Sequence, residues 1–96
     1  MAYADARHIV LEQGWLPEKD LQCRENLGSD PSISKLCDDI PELSAYSGEG
    51  LAIMHFTNSH GQRLTIMSQG DIDDWKISGD NSNLDVMEWN ITKNAP

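Results

Sequence analysis

Along the first dozen residues the apolar positions recur at helical spacing. Tyr3, Ala6, Ile9 and Val10 form a stripe that Ala4 and Leu11 widen, which predicts a helix over about 3–13. Gly14 follows where a helix needs a residue in the left-handed region, which glycine adopts cheaply. Trp15 and Leu16 can then fold back over the last turn, and Pro17 prevents the helix from resuming. From Leu51 the period changes to two. Leu51, Ile53, His55 and Thr57 alternate with Ala52, Met54 and Phe56, which predicts a strand over 51–58. Ser59-His60-Gly61-Gln62 is a hairpin turn, and the chain returns over 63–68 with Leu64 and Ile66 on one face and Thr65 and Met67 on the other. A short strand or loop over 73–78 carries Trp75 and Ile77. A final strand over 84–92 alternates Met87, Trp89 and Ile91 with Val86, Glu88 and Asn90.

The stretch 18–50 has neither period. It holds eight of the sixteen acids and three of the seven bases. Asp30-Pro31 reads as an N-cap with proline at the first helical position, so a short helix over 32–38 would turn Ile33 and Leu36 inward until Pro41 stops it. The expected architecture is one domain over 1–96. It is α+β, with an N-terminal helix packed on an antiparallel sheet of three or four strands as a two-layer sandwich. One short helix leaves the second sheet face partly polar or engaged with something else.

Composition narrows the partners. With 96 residues there is room for one core. A net charge of −9 argues against nonspecific binding to nucleic acid or anionic lipid. No apolar run approaches the roughly 18 residues of a membrane span, so no membrane insertion is expected. The start of the chain has no basic and apolar leader pattern. Cys23 and Cys37, the only cysteines, sit in polar, loop-like surroundings and suit one disulfide. The ring of about 15 residues that it would close is worth roughly 3 kcal/mol in the chain-entropy model. The alternative is two free thiols in a cytoplasmic protein. The spacing lacks the short Cys-x2-Cys knuckle of a zinc site.

Two stretches carry a resemblance. Tyr3-Ala4-Asp5-Ala6-Arg7, continuing through Leu11 to Gly14-Trp15-Leu16-Pro17, resembles the Y-A-x-A-R…G-W-x-P start of a group of small exported bacterial proteins of unknown function. Pro41-Glu42 and the Gly48-Glu49-Gly50 turn resemble their P-E…G-x-G middle. Tyr46 and Met54 stand where those proteins often have a second cysteine pair. A helix, a glycine and then three strands are also similar to PASTA and β-lactamase-inhibitor-like domains. The resemblance implies a noncatalytic module in the periplasm or secreted, which presupposes a leader ahead of Ala2. It implies no activity.

No constellation points to catalysis, a cofactor or a metal. His55 and His60 flank the turn without a third ligand, and Asp80-Asn81-Ser82-Asn83-Leu84-Asp85 lacks the glycine and glutamate of a calcium loop. No G-x-S-x-G elbow occurs. The large side chains Met54, Met67, Trp75, Met87 and Trp89 are too many to hide beneath one short helix. They are the expected partner-binding residues, on the sheet face away from the helix. The leading functional expectation is a noncatalytic, extracytoplasmic module that binds another protein. The alternative is a cytoplasmic acidic inhibitor or immunity-type protein that blocks a basic site through its charge.

Overall fold

A computed structural model describes residues 1–27 and 35–93. Helix α1 spans Tyr3–Glu12, with Gln13 as its C-cap. Gly14 has φ +93°. Its N–H donates to Leu11 O, and the Trp15 N–H donates back to Val10 O, which satisfies two of the last carbonyls of the helix. The chain then forms β1 (Leu16–Pro17), a turn of helix α2 (Cys23–Asn26), a second such turn α3 (Leu36–Asp39) and β2 (Leu43–Tyr46). The hairpin of β3 (Leu51–Thr57) and β4 (Gln62–Gly70) follows, and β5 (Leu84–Lys93) is the last strand. Of the helix expected over 32–38, only Leu36–Asp39 follows a described residue; Ile33 and the Asp30-Pro31 start lie outside the described residues.

All five strands pair antiparallel in one open sheet. Its spine is β3-β4-β5, and β1 and β2 share the outer edge of β3. The α+β architecture is the expected one, with two short strands more than the hydrophobic pattern showed. Two and four residues are too few to display a period. The stretch around Trp75, expected as a strand or loop, is a 3-10 helix over Ile72–Lys76, begun by Asp71, whose carboxylate accepts from the Asp73 N–H.

Alternation decides which sheet face holds the core. On β3 and β4, Ala52, Met54, Phe56, Leu64 and Ile66 are buried, while their odd-numbered neighbours are half-buried. The same cluster takes in Tyr3 from α1, both cysteines, Leu36, Ile40 and Leu43. Cys23, Leu36, Cys37, Ile40 and Leu43 of the irregular third therefore pack in the helix layer, and among the described residues no buried cluster covers the other face. The thinnest dimension, 19 Å, has room for a sheet and one covering layer. That uncovered face is mostly polar: His55 Nδ1 lies 3.0 Å from Thr65 Oγ1, and Arg63 pairs with Glu18.

Three residues anchor α1. Glu42 is fully buried. Its carboxylate accepts from the Tyr3 hydroxyl at 2.7 Å and from Arg7 Nε at 2.5 Å. A buried carboxylate is tolerated when its lone pairs are met by a cation and a hydroxyl in this way. Burial, and then the Glu42 charge, push the Tyr3 phenol far above its usual range. Burial pulls Arg7 the other way, but the Glu42 hydrogen bond and charge outweigh it and the guanidinium rises.

Tyr3 is the only buried residue of α1. Ala6 and Val10 of the helical stripe, and Trp15 behind it, are half-buried. The Tyr3–Glu42 bond and the Arg7 ion pair hold the helix near one end of the sheet, and Val10 and Trp15 pack on the rim of the cluster.

Candidate functional site

A helix of ten residues covers about 15 Å, whereas a strand of ten spans about 33 Å. α1 therefore cannot cover the whole of β5. The remainder opens as an apolar groove of about 580 Å³ between them. Its floor is Leu64 and Ile66, its helix wall is Ile9 and Val10, and its far wall is Trp89 and Ile91.

A β-bulge sets the far wall. Ser68 pairs with Val86 and Met67 with Glu88, so Met87 is the extra residue. Beyond the bulge, Trp89 stands opposite Ile66 and Ile91 opposite Leu64, which turns both toward the helix-side face. Val86 and Met87 both reach the groove as a result. Met87 is 66% and Trp89 63% exposed, and Ile9 and Ile91 are also exposed. An apolar patch of this kind on a single chain marks a contact surface.

The five expected partner-binding residues do not share one surface. Met87 and Trp89 meet in the groove. Met54 is fully buried beside Phe56, because its parity points it into the helix layer. Met67 has the opposite parity and is half-buried on the uncovered face. Trp75 lies against the other flank of α1, with the Arg7 guanidinium 5.4 Å and the Lys76 ammonium 5.2 Å from its ring. The expected location also needs correction: Met87 and Trp89 are exposed on the helix side of the sheet because the helix is too short. Sequence reasoning did not single out Ile9, Val86 or Ile91 as groove residues, although the alternation of Met87, Trp89 and Ile91 was visible. Nothing local announces the bulge that brings Val86 to the same side.

The expected disulfide is present. Cys23 and Cys37 are bonded, with Cα atoms 6.0 Å apart, and both are buried. The arginines are held in ion pairs. Arg7 pairs with Glu42, Arg24 with Asp38 and Arg63 with Glu18, so every arginine of the chain is engaged by a carboxylate. Burial, and then the Arg63 charge, lower the pKa of His55. The hydrogen bond from Ser44, and then the Gln22 N–H, lower that of Asp20. Among the described residues no cluster of three or more His, Cys, Asp or Glu could hold a metal ion, and no helix is long and apolar enough to cross a membrane. The chain matches no protein-family model, no curated protein and no solved structure.

Proposed function

We propose that this chain is a noncatalytic protein-binding module that works outside the cytoplasm, in the periplasm or secreted, and docks a polypeptide against the groove between α1 and β5. The observation that carries the reading is the exposure of Met87 and Trp89 beside an open edge strand. Tryptophan and methionine at the centre of an apolar patch supply much of the contact energy of protein interfaces. The Cys23–Cys37 bond supports the location, since disulfides persist in oxidising compartments. In the stretches that resemble the small exported bacterial proteins, Tyr3, Arg7 and Glu42 meet in one buried network, which gives those residue types a role in the fold.

A photoreactive amino acid at position 87 or 89, introduced in the cell that makes the protein, tests the reading. It should give a discrete adduct with a polypeptide, whereas the same group at Ser59 in the hairpin turn should give none. No adduct at 87 and 89, or equal adducts at Ser59, would remove the groove as a docking surface. The acidic-inhibitor alternative draws on the charge left over once the arginines are paired. It places the contact on the acid-bearing turns around Asp73 and Asp80, and an adduct formed there and not at 89 would favour it.

A further inference from the structure

We infer that the polypeptide docked beside the groove is β5 of a second copy of this chain, paired antiparallel about a two-fold axis at Asn90. This rests on the reading of the groove as a docking surface and names its occupant. The argument begins with the backbone. The Gly70 N–H donates to Gly50 O, and the Asp71 N–H to Asn83 O. Carried along the register, this alternation aims odd-numbered residues of β4 at β5 and, past the bulge, Glu88, Asn90 and Thr92 back at β4. Trp89, Ile91 and Lys93 therefore hold their N–H and C=O groups outward.

At the start of the strand that outer edge is occupied. Ala2 bridges Asp85, and the Val86 N–H donates to Met1 O at 2.8 Å. From Met87 to Lys93 no described residue pairs with it. Natural edge strands are usually blunted by charge, proline, a bulge or cover; here the bulge lies at Met87 and a lysine at Lys93, and between them the edge presents Trp89, Asn90 and Ile91.

The open edge is self-complementary. Outward residues must face outward residues, so a two-fold axis passes through a residue, and the axes that pair most of 87–93 with itself lie at Trp89, Asn90 or Ile91. An axis at Trp89 drives Lys93 onto Asp85, whose edge Ala2 already covers. An axis at Ile91 leaves Met87 and Glu88 facing positions beyond Lys93. An axis at Asn90 uses the whole of 87–93. Trp89 then lies opposite Ile91 of the second copy, Met87 opposite Lys93, Glu88 opposite Thr92 and Asn90 opposite itself, with no like charges face to face. Such a contact is isologous and ends with two copies. The other sheet edge is made of two short strands, β1 of two residues and β2 of four, which offer little backbone to a further strand. Each copy has a net charge of −9, so the pair forms against long-range repulsion that salt screens.

Sedimentation equilibrium of the full chain at 50 and 500 mM NaCl reads this directly. A dimer is expected, with its fraction larger at high salt, and a basic partner would show the opposite dependence. Trp89→Lys should leave a folded monomer. Asn90→Cys tests the register, since side chains of a pair not joined by hydrogen bonds approach within disulfide reach. Oxidised Asn90→Cys should run as a cross-linked dimer, whereas Glu88→Cys, which faces Thr92, should not. A monomer at every concentration and salt, or cross-linking at 88 in preference to 90, overturns the proposal. A photoadduct at 89 with twice the mass of the chain supports it. An adduct with a different protein, from a chain that stays monomeric, overturns the second copy and keeps the docking surface. Monomer with no adduct overturns both.

Discussion

The two edges of the sheet are finished in opposite ways. On the β3 side, the short strands β1 and β2 satisfy the backbone, Glu42 is buried beneath Tyr3 and Arg7, and the Cys23–Cys37 bond clips the covering segment. On the β5 side a strand of ten residues is covered, among the described residues, only at Asp85–Val86, and Met87, Trp89 and Ile91 face solvent. One edge is thus built for stability and the other for contact. Substitutions at the two should separate these effects.

The largest effect is expected from Glu42→Ala. It leaves the Tyr3 hydroxyl and the Arg7 guanidinium without their carboxylate, and breaking a buried pair from one side costs about 3–5 kcal/mol. Urea unfolding measures it, and a loss below about 1 kcal/mol would show that α1 is held by packing alone. Next comes the paired change Cys23→Ser with Cys37→Ser. The bonded residues are 14 apart, so the released loop should cost roughly 3 kcal/mol. An unchanged unfolding midpoint would mean that β1 and β2 hold this edge without the clip.

A smaller effect concerns pH. Burial lowers the pKa of His55 in the folded state, so between its folded value and the ordinary value near 6.5 the unfolded chain binds the extra proton. Its contribution is fully present above about pH 6.5 and is lost as the pH falls toward the folded value. The melting temperature should therefore drop on acidification from pH 7.5 to 5.5, and His55→Gln should remove part of that slope. A wild-type slope that the variant keeps in full would sink the idea. The smallest effect on stability belongs to the open edge. Trp89→Ser and Met87→Ser should each shift the unfolding free energy of the isolated chain by no more than about 0.5 kcal/mol, as exposed positions do. A loss above about 2 kcal/mol would make the groove a piece of core.

The part of the sheet that sequence pattern describes well is its middle, built from long alternation. The β3–β4 hairpin, its buried parity and the stop of α1 at Gly14 all follow from periods and turn chemistry. β1 and β2 were not legible, because their pairing is imposed by β3 across a long stretch of sequence. The reach of Tyr3 and Arg7 to Glu42 is equally non-local, although their spacing of four places both on one helix face. At the groove, Met87 and Trp89 stood out as large side chains. The face they occupy depended on a single inserted residue, and an alternating pattern read by eye passes over such a shift.

The bond between Met1 and Val86 also has a consequence in time. Helix α1 docks on Glu42 through Tyr3 and Arg7, contacts that need no part of β5. The backbone that Met1 and Ala2 pair with belongs to β5, so these residues wait for β5 to join β4. Contacts of such separation form late and slow the folding of small domains. Until β5 arrives, the outer edge of β4 has no partner and the nascent chain stays sticky. A sheet whose outer edge is sealed by residues so far apart in sequence gains that seal only after the β3–β4 hairpin and β5 have paired.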